Sequence, residues 1–70
     1  MQGELKMLLC DLKKGSRINC EVSDGSTFII FEHIDGMYSY CITEKGEVVH
    51  LYAATELEKD GENFKLVLKN

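Results

Sequence analysis

The side chains in this sequence best suited to covalent chemistry are Cys41 and His50, because an imidazole within hydrogen-bond reach can take a thiol proton and leave a nucleophilic thiolate. No third residue is placed to orient the base and no oxyanion-hole motif is recognisable, so the chain reads as non-enzymatic, with no catalytic residue assigned. Metal chemistry has no better support. Cys10, Cys20 and Cys41 are scattered and lack a close pair such as C-x-x-C, so neither a metal site nor a cofactor is expected. The glycines fall in Asp-Gly and Lys-Gly turn contexts rather than in a phosphate-cradling loop. Lys13, Lys14 and Arg17 form the one basic cluster, which with a helix N-terminus near Gly3 could meet an anion without catalysis.

Those groups sit on a chain of 70 residues, enough for one domain. A domain of that size buries only about 60% of its unfolded surface, so outside help with stability is expected. Three cysteines are an odd number and no secretory signal segment is recognised, so free thiols in a reducing cytoplasm are expected, with self-association as the route to stability. Twelve acidic against eight basic residues give a net charge of −4, whereas a protein living on DNA or RNA normally carries a basic stripe. The apolar runs are far shorter than the roughly 20 residues of a membrane span.

Patterning indicates a mainly β protein with a short N-terminal α-helix. Leu5, Leu8, Leu9 and Leu12 recur at i, i+3, i+4 and i+7, and Gly15 supplies a stop, predicting a helix over about 3–14. The period then changes to two. Ile18, Cys20 and Val22 alternate with Arg17, Asn19 and Glu21, and further strands are expected over 27–34, 37–43, 48–53 and 63–68, with 55–59 as a sixth strand or a lead-in. Asp24-Gly25, Asp35-Gly36 and Asp60-Gly61 read as hairpin turns. The strands, spanning about 17–68, form a bent antiparallel meander of five or six members closing into a small barrel, one domain over 1–70.

If Asp24-Gly25 and Asp35-Gly36 are the central residues of two-residue hairpins, the register is fixed. Ile18, Cys20 and Val22 then share the core side with Ile29, Phe31, His33, Tyr38, Tyr40 and Ile42. A two- or four-residue third loop adds Val49, Leu51 and Ala53 to that side, while a three-residue loop with Gly46 at positive φ reverses them. The opposite side holds Phe28, Ile30, Ile34, Met37 and Val48 among Glu32, Ser39, Cys41, Thr43, His50 and Tyr52. That register pairs Glu32 with Ser39, sets Tyr52 beside Ser39 and places Cys41 opposite His50. Polar groups within an apolar surround suit a small-ligand pocket, so Glu32, Ser39, Cys41, His50 and Tyr52, with Lys14 and Arg17 for an anion, are the candidate binding residues.

The run Leu12-Lys13-Lys14-Gly15-Ser16-Arg17-Ile18-Asn19-Cys20-Glu21-Val22-Ser23-Asp24-Gly25, with Ile34-Asp35-Gly36-Met37 downstream, resembles the small β-barrels of the Sm/Hfq and SH3-like type over residues 4–57. The resemblance implies ring or dimer formation through strand edges, with pockets between subunits. Short acidic proteins of this kind also look like accessory proteins of phages and mobile elements, some of which are oligomeric sponges for cyclic nucleotide signals.

Three functions are therefore expected in order. The first is a non-enzymatic homo-oligomer that binds a ligand or partner through its mixed sheet face or an inter-subunit pocket. The second is a sponge or sensor for a nucleotide signal, with aromatic rings stacking on bases and Lys13, Lys14 or Arg17 meeting phosphates. The third is a direct inhibitor that pairs an edge strand with a host protein.

Overall fold

The structure, a computed structural model, describes residues 6–67. Seven strands run in chain order as β1 (Lys6–Leu8), β2 (Arg17–Asn19), β3 (Phe28–Asp35), β4 (Tyr38–Thr43), β5 (Val48–Val49), β6 (Glu56–Asp60) and β7 (Asn63–Leu66). They form one sheet in the order β1-β6-β7-β2-β3-β4-β5, antiparallel throughout except for the parallel contact of β2 with β7. The mainly β expectation holds. The expected closed barrel does not: the sheet is open, with β1 and β5 as its edges. None of the helices among the described residues is long and apolar enough to cross a membrane.

The N-terminal helix is also overturned. Lys6–Leu8 is a strand paired with Glu56–Glu58, and Leu9–Asp11 makes a single 3-10 turn. An isolated helix of about a dozen residues is marginal in water, and here β6 supplies backbone partners that a helix would forgo. Leu9 N–H donates to Thr55 O (2.9 Å) and Cys10 N–H to Ala53 O (3.0 Å), fixing the segment against the β5–β6 connection. Leu9 and Leu12 still reach the core, but Leu8 points outward, so the four-leucine spacing is not one buried face; Leu5 lies outside the described residues.

One side of the sheet wraps a core of Leu9, Leu12, Ile18, Ile29, Phe31, Cys41 and Leu57, with Ile34, Val49, Leu51, Phe64 and Leu66 packed around it. Ile18 pairs with Ile29, two residues off the Ile18–Phe31 pairing that a two-residue Asp24-Gly25 turn would give, so the expected inner face is kept although the register slips. The next hairpin departs from the expected register twice. Its turn residues are Gly36 and Met37, flanked by the Asp35–Tyr38 pair, and Gly36 alone has positive φ (68°), as a first central position of type II′ requires. That two-residue slip preserves the faces. A β-bulge does not: Phe31 pairs with Cys41 but His33 with Tyr40, leaving Glu32 as the extra residue. Everything on β4 is thereby inverted. Ser39, Cys41 and Thr43 are buried inside, whereas His33, Tyr38, Tyr40 and Ile42 lie outside, and Ile34 turns inward.

The third loop is the three-residue alternative, Glu44-Lys45-Gly46, with Gly46 at φ 89° and Thr43 N–H donating to Glu47 O (2.7 Å). It inverts the faces a second time, which restores Val49 and Leu51 to the core. This loop docks on the β2–β3 loop through two carboxylates, Glu44 accepting the Thr27 N–H (3.1 Å) and Asp24 meeting Thr43. Asp24 accepts Ser26 N–H (2.8 Å) on Oδ1 and the Thr43 hydroxyl (2.8 Å) on Oδ2, while Lys45 Nζ donates to Asp24 O (2.8 Å).

The Ser26 N–H bond foremost, then the Ser26 and Thr43 hydroxyl contacts, holds the Asp24 carboxyl below its ordinary 3.8. A group whose folded value is depressed stabilises the fold above its unfolded range and loses that contribution as pH falls through the folded value. The urea midpoint is therefore expected to drop below about pH 4, and Asp24→Asn to flatten that drop relative to the parent chain. Identical acid profiles for the two proteins would contradict the assignment.

Candidate functional site

The outer face of β2–β5 follows from the bulged register as four rows. Asn19 with Phe28 comes first, then Arg17 with Ile30, Ile42 and Val48, then His33 with Tyr40 and His50, and last Asp35 with Tyr38 and Tyr52. Strand propensity accounts for the β-branched and aromatic content of these rows, but not for leaving it uncovered. Tyr38 is 53% and Tyr52 50% exposed, with Val48 at 42% and Met37, in the adjoining turn, at 62%. The first two rows form an aliphatic half and the last two an aromatic half.

The aromatic half is internally packed. His33 stacks on Tyr40 at 5.0 Å, Tyr40 meets His50 edge-on at 5.5 Å, and Tyr38 meets Tyr52 edge-on at 6.1 Å. A concavity of about 400 Å³ opens here, lined by Asp35, Tyr38 and His50. His50 Nδ1 lies 2.9 Å from Ser39 O. A carbonyl only accepts, so Nδ1 carries the proton and, in the neutral ring, Nε2 keeps its lone pair. Leu51 N–H donates instead to Ser39 Oγ (3.0 Å), so both oxygens of Ser39 knit β4 to the segment that follows β5.

The expected site residues separate accordingly. His50 and Tyr52 lie on this outer face. Ser39 and Cys41, each 0% exposed, belong to the core and cannot meet a ligand from the sheet surface. Cys41 faces Val49 rather than His50, and Tyr52 bridges to Tyr38 rather than Ser39. Burial chiefly pushes the Cys41 thiol above its ordinary value, against partial opposition from the Ser39 hydroxyl 3.4 Å away. Burial followed by the charge of Cys41 does the same to Cys20. A neutral buried thiol is inert, so the Cys41–His50 pair has no geometric basis. Glu32, on the bulge, lies 3.6 Å from Lys14, an exposed pair of small energetic weight. Arg17 stacks over Phe28 at 3.9 Å and donates to Asn19 Oδ1 (2.9 Å).

Asp35 and Tyr38 are the members that reading by pattern misses, one assigned to a turn and the other to the core. The available signal was Tyr38-x-Tyr40 facing His50-x-Tyr52, two period-two runs that a three-residue loop brings into line. A second concavity of about 410 Å³ at the β2–β7 seam is lined by Asn19, Cys20, Glu21, Lys65 and Leu66. The Asn19 amide is already used at both ends, accepting from Arg17 and donating to Asp60 Oδ2 (3.0 Å). Among the described residues no three His, Cys, Asp or Glu side chains are grouped to hold a metal.

Fold and site together define a small mainly β protein with an open sheet and a half-exposed aromatic face. Compared with protein-family models, curated proteins and solved structures, the chain matches none.

Proposed function

We propose that the chain is a non-enzymatic binding protein that self-associates through the aliphatic half of its outer face and offers the aromatic half to a partner. The supporting observation is the half exposure of Tyr38, Tyr52 and Val48 on one face of a sheet whose other face is already filled by the core. Monomers seldom expose a contiguous apolar patch beyond a few hundred Å² unless something binds it. Native mass spectrometry with light scattering over a concentration series tests the reading. A dimer or larger assembly is expected for the parent chain, and a monomer with an unchanged circular dichroism spectrum for Val48→Glu. A parent chain that stays monomeric at every concentration and retains no ligand would remove it.

Capture of a nucleotide signal draws support from the aromatic rings. It is weakened by the engagement of Arg17 with Phe28 and Asn19, and by the net charge of −4. Edge-strand pairing with a host protein would use β1 or β5, which offer three and two residues. Edges that short suit strand addition poorly.

A further inference from the structure

We infer that the concavity beside Tyr38 receives a guanidinium group, the arginine side chain of a basic partner segment. The inference rests on the outer face being a binding surface and specifies its chemistry. The groups that line it present acceptors and a π face. The Asp35 carboxylate has no hydrogen bond or ion pair among the described residues. His50 has its Nδ1 proton committed to Ser39 O, so in the neutral ring the nitrogen left for a ligand is the one bearing a lone pair. Tyr38, buttressed by Tyr52, shows half of its surface to solvent.

A carboxylate, an imine nitrogen and an aromatic ring attract a cation and repel a phosphate. Among the described residues no lysine or arginine is paired with Asp35. Lys14 lies nearest Glu32, Arg17 lies over Phe28, Lys45 binds the Asp24 carbonyl and Lys59 lies over Phe64 at 4.6 Å. Between the two natural cations, guanidinium fits better. It is planar, so it can stack on Tyr38 while its fork of five N–H donors reaches both Asp35 and His50, whereas an ammonium is a compact, strongly hydrated point charge. The net charge of −4 steers a basic segment towards this surface.

Amide chemical shifts of the isotopically labelled full chain, titrated with N-acetyl-arginine methylamide, test this. The neutral isostere N-acetyl-citrulline methylamide, the corresponding blocked lysine and AMP form the other arms. A single blocked residue is expected to half-saturate on the order of millimolar, with shifts confined to the neighbourhood of Asp35, Tyr38, His50 and Tyr52. Citrulline should give none and lysine weaker ones. Asp35→Asn should weaken arginine binding about tenfold or more, and Tyr38→Leu should weaken it independently, both with the dispersed spectrum of a folded chain. No response to arginine, or an equal response to citrulline, overturns the inference. A response to AMP at these residues without one to arginine overturns the guanidinium assignment alone and leaves the binding face standing.

Discussion

Leu9→Ala is expected to lower the unfolding free energy by about 2–5 kcal/mol, because the side chain is fully buried and its removal leaves a cavity as well as losing transfer energy. A chain of this size has roughly 4–10 kcal/mol in total, so the variant should stand near the unfolding threshold at room temperature. Leu8→Ala, one residue earlier on an exposed position, should cost within about 0.5 kcal/mol. Urea denaturation followed by far-ultraviolet circular dichroism measures both. Equal losses would mean that the two leucines share one buried face, as on a helix, and would contradict the β1 strand and the 3-10 turn that follows it.

Ser39→Ala is expected to cost about 1–3 kcal/mol, since Leu51 N–H loses the fully buried oxygen that satisfies it. Tyr38→Ala, the neighbouring change on the opposite face, removes far more atoms yet should cost under about 1 kcal/mol, chiefly its edge contact with Tyr52. Small polar being costlier than large aromatic is the reverse of what the alternation of Tyr38-Ser39-Tyr40-Cys41 suggests. Thermal melts of the two variants would decide it, and a larger loss for Tyr38→Ala would place the tyrosines back in the core.

That inversion marks where pattern reading stops. Ile18, Ile29 and Phe31 are assigned correctly because Asp24-Gly25 bends the chain where its permissiveness for positive φ says it should, and period two carries the faces outward from there. Glu32 carries no such mark. A bulge residue needs neither glycine nor proline, so nothing in Phe31-Glu32-His33 announces that parity changes there, and every face beyond it inherits the change. Val49 and Leu51 are core residues under the simplest loop assumption only because the Glu44-Lys45-Gly46 loop undoes the bulge. The N-terminal leucines fail for a different reason, since the partner that turns them into a strand lies about fifty residues away in β6. For the site, His50 and Tyr52 were legible as polar-aromatic positions in the segment that follows Val48 and Val49. The company they keep, Asp35 and Tyr38, was not, because it depends on both inversions at once.

The position of the β6–β7 hairpin has a consequence for how such a chain is made. β1 and β2 follow one another in the chain but are not neighbours in the sheet; the β6–β7 hairpin is stitched between them, with Phe64 beside Ile18 and Leu57 against Met7. Until that clasp emerges, β1 has nothing to zip onto and β2 has one side bare. Joining β1 and β2 to the sheet therefore requires pairings across about forty to fifty residues, with the slow closing step that distant pairings impose.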